Sequence, residues 1–310
     1  MFLRILFAIL FCFYIFPEVA AFAEGILVVQ GLRAAPFDDS LRGFKSVCGV
    51  NSKTVFLSDA KELNLRRIVR DEKPSLILAI GAEPLRRAIR IQNTPIIYLM
   101  VLNPEKITGK AENINGVSMD VPAERYLDLI KKLKLPQPKV GMLYDPTKSG
   151  SMVKKIVQKA RSMGIEISAK EIRRAQEAPE AISRLSDSIN LFWMLPDSTV
   201  ITAETVELIL LLTQQKRIPV LAFSGKYVDM GALLSLDIDS FDMGKQAGEM
   251  ANRVLRGERI NEIPPADPRK AIIKINQKVA AKLGLNLNSI DTTFHSSSNQ
   301  TSRLEIQQKD

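Results

Sequence analysis

The chain has 310 residues, a formal net charge of +9 and a hydrophobic content of 46%. It contains one histidine and two cysteines, too few for a typical zinc centre, and the one histidine lies in a polar tail. The basic residues are scattered, without the interleaved aromatic residues that nucleic-acid binding calls for. We therefore expect no metal, no cofactor and no nucleic-acid partner.

The first residues have the order of a secretory signal peptide. Arg4 precedes the apolar run Ile5–Phe16, and Ala21-Phe22-Ala23 places small residues where a signal peptidase reads them. The run is shorter than the ~20 residues that span a bilayer, which argues against an uncleaved membrane anchor. We predict that residues 1–23 are removed and that the mature protein is periplasmic. One cysteine, Cys48, then remains, which excludes an internal disulfide framework.

Short apolar runs alternate with amphipathic segments through the next part of the chain. The predicted strands are Ile26–Gln30, Thr54–Leu57, Leu76–Ile80 and Ile96–Val101, and the predicted helices are Asp39–Val47, a segment around Leu65–Val69, and Pro84–Ile91. Continuous apolar strands that alternate with helices indicate parallel sheets covered on both faces. Right-handed crossovers then give a doubly wound α/β fold.

The same order of elements occurs a second time, with an offset of about 115 residues. The matching pairs are Ile26–Gln30 with Val140–Tyr144, Leu76–Gly81 with Leu191–Pro196, Thr94–Ile97 with Ile218–Leu221, and Gly116–Asp120 with Leu233–Asp237. Any two α/β domains look alike at this level, but the near-constant offset favours an internal repeat. Two similar lobes leave a cleft between them, and domain junctions are preferred places for small-ligand pockets.

The motifs of common enzymes are absent from the sequence. It has no G-x-S-x-G elbow, no H-E-x-x-H and no Walker A loop. Paired carboxylates from Asp120, Asp197 and Asp237 stay open as an alternative, because the sequence does not give their separation. We therefore favour binding over catalysis and assign no catalytic residue.

The loops after the predicted strands suit the binding of a small molecule. Tyr144–Ser151 precedes a helix predicted from Met152, and hydroxyls and free N–H groups at a helix start hold a carboxylate well. Ordinary N-capping is an equal alternative. Asp197 can pair with a ligand ammonium group or cap the helix that follows it. Ser224 ends the strand from Val220 in the same way, whereas Trp193 lies within a strand and is expected in the core.

The chain resembles the substrate-binding proteins of bacterial ABC transporters with the type 1 periplasmic fold, in the branch often labelled tryptophan/tyrosine-type. The resemblance covers roughly 25–287. The stretches that carry it are Val29-Gln30, Leu102–Pro104, Asn115–Ser118, Val140–Pro146, Pro196–Thr199, Ile218–Val220, Gly231–Leu233, Asp239 and Met243–Gly248. It implies three crossovers, near Asp120, Asp237 and Pro264. Lobe one then covers 24–119 and 238–263, lobe two covers 120–237 and 264–288, and 289–310 is expected to be a disordered tail.

The resemblance also implies which residues line the cleft. They are Gln30, Gly81, Ala82, Asn103, Ser149, Ser151 and Asp197, to which we add Tyr144, Ser224 and Asp237. The sequence departs from the family pattern in the loop Gly31–Pro36, which lacks the usual His-Pro. It also departs at Asn115, Gly150, Ser198 and Asp237, where the family has threonine, asparagine, asparagine and glycine. These departures question the aromatic amino-acid preference of the branch but not the fold.

The expected function is that of an exported, monomeric solute-binding protein of an ABC import system. Such a protein captures an amino acid or similar solute by hinge closure, and its closed form docks on a membrane permease. Ligand shifts that equilibrium only by its differential affinity for the two forms. The alternative is a sensor that presents its ligand to a signalling receptor. A periplasmic enzyme is the least favoured interpretation.

Overall fold

The computed structural model describes residues 25–59, 64–291 and 293–295. The predicted signal peptide therefore lies outside the described residues. The chain divides into two compact units, unit 1 with residues up to Ser118 plus Met243–Ala266, and unit 2 with Met119–Asp242 plus residues from Asp267 onward. It passes from one unit to the other three times, at 118/119, 242/243 and 266/267. Within the described ranges, no helix is both long and apolar enough to cross a membrane.

Unit 1 contains a five-stranded sheet in which every pairing is parallel. Its strands are β1 (Ile26–Gln30), β2 (Ser52–Phe56), β3 (Leu76–Ile80), β4 (Ile96–Val101) and β5 (Ile114–Ser118), in the order β2-β1-β3-β4-β5. The helices between them are α1 (Ala35–Val47), α2 (Leu65–Glu72), α3 (Ala82–Ala88) and α4 (Glu105–Thr108), and a short 3-10 helix covers Leu57–Asp59. Four of the five strands are buried along their whole length, as their apolar sequences predict.

Unit 2 contains a seven-stranded sheet. Its strands are β6 (Lys139–Tyr144), β7 (Glu166–Glu171), β8 (Leu191–Trp193), β9 (Val220–Ala222), β10 (Leu234–Ile238), β11 (Lys270–Ile275) and β12 (Thr293–His295). The order is β12-β11-β10-β9-β8-β6-β7. Strands β6 to β10 pair in parallel and repeat the order of unit 1, whereas β11 and β12 are antiparallel. The predicted doubly wound α/β class is therefore confirmed.

Helices cover both faces of the unit 2 sheet. They are α5 (Ala123–Lys132), α6 (Pro146–Ser162), α7 (Ala178–Ser186), α8 (Ala203–Gln215), α9 (Gly225–Asp229) and α11 (Gln277–Leu283), with a 3-10 turn at Ala175–Glu177. Trp193 is 1% exposed and packs against Tyr126 with ring centroids 4.8 Å apart, so its predicted place in the core is confirmed.

The last long helix, α10 (Ser240–Leu255), returns the chain to unit 1, where a 3-10 turn at Ile260–Glu262 follows. It packs on α1 through two glycines. A β-carbon at Gly244 would overlap the carbonyl oxygen of Ser40, and one at Gly248 would lie 2.8 Å from the carbonyl oxygen of Phe44. The two helix backbones therefore approach each other more closely than any side chain would allow.

Two predicted boundaries are corrected by the structure. Helix α6 begins at Pro146 and not at Met152, because Asp145 caps it and proline suits the first helical position. The tail predicted as disordered from residue 289 contains β12, because Thr293–His295 pair with the edge strand β11. The residues from 296 onward lie outside the described ranges.

Candidate functional site

The parallel strands of each sheet have one point at which the strand order reverses. In unit 1 it lies between β1 and β3, and in unit 2 between β6 and β8. Neighbouring strands there send their following loops in opposite directions, which opens a crevice at the carboxyl ends of the strands. Gln30 and Gly81 stand at this point in unit 1, and Tyr144 and Asp197 stand at it in unit 2. The topology thus brings predicted residues together within each unit.

Gln30 is the last residue of β1 and is fully buried. Its amide nitrogen donates to the carbonyl oxygen of Leu32 and to Oδ1 of Asp38, each at 2.8 Å. Both partners are acceptors only, which fixes the nitrogen toward them and orients Oε1 the other way. Oε1 is shielded from solvent and has no hydrogen-bond partner among the described residues. Gln30 therefore offers an acceptor that lacks a donor.

Gly81 turns the chain from β3 into α3. Its backbone φ of +105° is one that residues other than glycine rarely adopt. Its N–H donates to the carbonyl oxygen of Leu99 at 2.8 Å. An added β-carbon would lie 3.1 Å from Cε1 of Phe37. Ala82 follows as the first residue of α3 and is half-buried. The glycine thus lets the half-buried ring of Phe37 approach the strand end.

Asn103 lies just beyond β4, after an irregular stretch of backbone. The pairing of β4 with β5 shifts register between Tyr98 and Val101, and Met100 there has a φ of +58°. Asn103 itself has a φ of +47° and is half-buried. Such strain in residues other than glycine collects at functional sites. Asn103 therefore lies two residues beyond the end of β4, and its contact with a ligand stays a prediction.

Two buried carboxylates, Asp145 and Asp197, lie at the point where the strand order of unit 2 reverses, here called its switch point. Oδ2 of Asp197 accepts the N–H of Asp145 at 2.8 Å, and its Oδ1 accepts the N–H groups of Thr199 at 2.9 Å and Val200 at 3.3 Å. Asp197 is only 1% exposed. Because backbone donors take both of its oxygens, the geometry favours a structural role for Asp197 over the pairing with a ligand ammonium group. That role is not the predicted helix cap, since the helix that follows, α8, is capped by Thr202 and Asp197 holds the turn before it.

Both carboxylate oxygens of Asp145 also accept hydrogen bonds. Its Oδ1 accepts the N–H and the hydroxyl of Thr147, both at 2.8 Å, and its Oδ2 accepts the hydroxyl of Thr199 at 2.7 Å. The Thr199 hydroxyl, followed by the two Thr147 donors, lowers the pKa of the Asp145 carboxyl below its ordinary value. Asp145 thereby occupies the start of α6, where the sequence suggested a ligand carboxylate.

The other predicted residues of this loop have different surroundings. Ser149 is buried in the first turns of α6, and its hydroxyl makes no hydrogen bond to a described residue. Ser151 lies two residues further along the helix and is exposed. The Tyr144 hydroxyl donates to Oε1 of Glu171 at 2.9 Å, and burial, followed by this bond, raises the pKa of the phenol. The hydroxyls of Ser149 and Ser151 therefore stay available to a ligand, whereas that of Tyr144 is bonded to Glu171.

Ser224 and Asp237 meet at the ends of β9 and β10. The Ser224 hydroxyl donates to Oδ2 of Asp237 at 3.1 Å, and the Gly225 N–H donates to the same oxygen at 2.8 Å. The remaining oxygen accepts the Ile238 N–H at 2.9 Å. Asp237 therefore ties two strand ends together. Asn115, another departure from the family pattern, is buried in unit 1 and donates to the carbonyl oxygens of Ile260 and Ile263.

Sequence reasoning missed three residues at the unit 2 switch point, namely Asp145, Thr147 and Thr199. The signal was present, since Asp145-Pro146 directly follows a strand and Thr199 follows Asp197 by two residues. The described residues contain no group of histidine, cysteine and carboxylate side chains able to hold a metal ion. The arrangement therefore supplies hydrogen-bonding groups at the strand ends.

A family model described as ABC transporter substrate binding protein matches residues 38–291. The tyrosine-binding protein of Clostridioides difficile (strain R20291) is 24% identical over 241 residues, 75% of this chain and 69% of that protein. An uncharacterised protein of Rickettsia prowazekii (strain Madrid E) is 24% identical over 216 residues, 68% of this chain and 67% of that protein.

Two solved structures show the same fold. The ligand-free, open structure of a substrate-binding protein with adhesive properties from Clostridium difficile has a TM-score of 0.74 and 22% identity, over 87% of this chain and 97% of that one. The ABC domain in complex with L-Trp from Streptococcus pneumonia has a TM-score of 0.64 and 20% identity, over 86% of this chain and 96% of that one. These likenesses place both units of the chain in a known fold.

Proposed function

The chain belongs to the family of ABC transporter substrate-binding proteins, and from that premise we propose that it captures an amino acid or similar small solute for import. The solute binds in the predicted inter-lobe cleft, hinge closure retains it, and the loaded protein docks on the membrane permease of its transporter. The chain acts by binding and carries out no reaction on the solute. One similar protein is named a tyrosine-binding protein and another was solved in complex with L-Trp, which supports an amino acid as the solute.

The observation that carries the proposal is the unpaired acceptor of Gln30. An acceptor left unsatisfied in a protein interior costs about 1–3 kcal/mol, so interiors rarely retain one. Gln30 retains one at the point of the sheet where this fold class receives ligands. An ammonium or hydroxyl group of the solute supplies the missing donor. Because Oε1 is shielded in this conformation, the strand-end loops rearrange locally as the solute arrives.

The experiment begins with a thermal-shift screen of the proteinogenic amino acids, L-tyrosine and L-tryptophan included. A solute that binds the native state raises the melting temperature. Calorimetry on the hits then compares wild type with Gln30→Met, which keeps the length of the side chain and removes the amide. We expect at least about tenfold weaker binding, because a hydrogen bond to a charged group contributes roughly 1.5–3 kcal/mol.

Ser235→Ala is the matched control for Gln30→Met. Ser235 is also fully buried and its hydroxyl also has no partner among the described residues, but it lies within β10 and not at a strand end. Its loss should leave affinity within about twofold. Unchanged affinity in a Gln30→Met protein that melts like wild type would remove Gln30 from the site. A screen in which no amino acid shifts the melting temperature would overturn the proposed solute class.

Export is part of the same proposal and has its own test. The sequence of residues 1–23 supports secretion with cleavage after Ala23. Expression of the full chain in a bacterial host, followed by fractionation and N-terminal sequencing, should recover a periplasmic protein that begins at Glu24. A protein that stays in the cytoplasm with Met1 intact would contradict it.

A further inference from the structure

The sequence contains one six-residue pattern twice, in two helices of unit 1. Leu65-Arg66-Arg67-Ile68-Val69-Arg70 lies in α2, and Leu85-Arg86-Arg87-Ala88-Ile89-Arg90 covers the end of α3 and the turn after it. Leu65 and Leu85 are buried in the same hydrophobic cluster. With 3.6 residues per turn, Arg66, Arg67 and Arg70 lie on the side of α2 opposite Leu65. Arg86 and Arg87 lie on the side of α3 opposite Leu85, and Arg90 follows in the exposed turn after the helix.

The two helices are neighbours on one face of the sheet. Helix α2 connects β2 to β3 and α3 connects β3 to β4, and both crossovers advance in the same direction along the sheet. Right-handed crossovers of this kind place both helices on the same face. The leucines of both helices lie in one hydrophobic cluster, which agrees with this placement. The arginines carried on this face of unit 1, here called the arginine face, are Arg66, Arg67, Arg70, Arg86, Arg87 and Arg90.

The arginine face carries more positive charge than its carboxylates neutralise. Asp71 lies 3.6 Å from Arg67 and 3.4 Å from Arg70, and Glu83 lies 3.7 Å from Arg86 and 3.2 Å from Arg87. Two carboxylates thus serve four guanidinium groups.

The other two arginines, Arg66 and Arg90, are exposed and form no ion pair with a described residue. Three of the four paired arginines are well exposed, with values of 73% for Arg67, 75% for Arg70 and 58% for Arg86, whereas Arg87 is 33% exposed. Such exposed pairs are weak and leave the arginines able to change partner.

We propose that the arginine face binds the phosphate headgroups of an anionic phospholipid bilayer. A guanidinium group matches phosphate oxygens with two parallel hydrogen bonds, and six arginines on one face of a unit suit an extended anionic surface. None of the large apolar side chains that are exposed among the described residues lies on α2 or α3, so binding is electrostatic and without insertion. The predicted export places the protein next to such a membrane.

The test measures binding of the purified chain to sedimented vesicles, with every variant in the same processed form. Wild type should bind vesicles with about one-third phosphatidylglycerol far better than neutral ones, because each basic residue near an anionic surface strengthens binding about fivefold. Raising the salt from about 50 to about 300 mM should release it, because salt screens surface charges. Replacement of Arg66, Arg70, Arg86 and Arg90 by glutamine should weaken binding more than tenfold.

The matched control replaces Lys131, Lys134, Lys154 and Lys155 of unit 2 by glutamine. These four side chains are exposed, and their loss changes the net charge by the same amount. The control should lose less than about threefold, and lysine in place of the four arginines should retain most of the binding. Equal losses in both quadruple variants would reduce the effect to net charge and overturn the proposal. Absence of wild-type binding at low salt would overturn it too and leave an acidic protein as the partner to seek.

Discussion

The two units share one strand order and differ at the point where it reverses. In unit 2, Asp145 and Asp197 accept six hydrogen bonds between them, so the strand ends are bound to each other. In unit 1, Gln30 keeps an acceptor without a donor at the equivalent place. A shared topology therefore predicts where a site can form. Only the hydrogen bonds of each unit show whether the polar groups at its switch point are already satisfied, as in Asp145 and Asp197, or keep an open acceptor, as in Gln30.

The largest expected effect on one unit alone is the loss of stability that Gly244→Ala causes in unit 1. The new methyl group would overlap the backbone of α1 at Ser40, which must move away. We expect unit 1 to lose about 3 kcal/mol of stability in urea unfolding, because overpacking that shifts backbone is costly. Gly150→Ala in α6 is the control, since its nearest contact would be 3.8 Å away, and it should be neutral or stabilising. Equal effects would refute close packing of α10 on α1.

A smaller effect distinguishes the switch point of unit 2, whose Asp197 is expected to stabilise the fold, from that of unit 1, whose Gln30 is expected to bind the ligand. Asp197→Ala leaves the N–H groups of Asp145, Thr199 and Val200 without their acceptor, and we expect a loss of about 2 kcal/mol of stability. Gln30→Met should show the reverse, with a small change in stability and a large change in affinity. Urea unfolding and calorimetry on both variants check this. Retained stability in Asp197→Ala, with ligand binding abolished, would restore the ammonium role of Asp197.

The smallest effect is a pH dependence. In the folded protein the pKa of the Asp145 carboxyl is lowered, chiefly by the Thr199 hydroxyl. The ionised carboxylate therefore stabilises the fold above its unfolded pKa of about 3.9, and this stabilisation is lost as the pH falls through the folded pKa. Thr199→Val should raise the Asp145 pKa in a carboxyl NMR titration. The stability difference from wild type should be largest at neutral pH and shrink in acid.

Glu177 is the internal control in the same titration. Its lowered pKa comes from the N–H of Arg173 and the side chain of Arg174, which the variant leaves intact. An unchanged Asp145 pKa in Thr199→Val would show that the hydrogen bond from Thr199 is not the main cause of the lowered pKa.

The strands were the most predictable part of the fold. The bounds of β1, β3 and β4 agree with the sequence prediction, because each is a continuous apolar run that ends at a glycine, a polar residue or a loop. Helix α6 was predicted to start too late, because Ser149-Gly150-Ser151 has the composition of a loop. The cap that starts the helix at Asp145 is stronger than that local preference.

The site was predictable in position but not in detail. Strand ends can be read from a sequence, and Gln30, Gly81 and Tyr144 lie at or directly after one, whereas Ser149 and Ser151 lie inside helix α6. Which of these residues touch a ligand stays a prediction. The bond from Thr199 to Asp145 joins residues 54 positions apart, so it depends on how two strands are aligned in the sheet. The arginine face was missed for the same reason, since its two halves lie in separate helices and look scattered along the chain.

The position of α10 also has a consequence for biosynthesis. The helix that covers α1 is made only after residue 242, when most of the chain has left the ribosome. Until then α1 lacks the surface against which Ser40 and Phe44 pack, and unit 1 cannot complete its core. Contacts between such distant segments also form slowly. This order of synthesis suits the proposed export, because a chain that has not yet folded can be threaded through a translocation channel and complete its folding on the far side.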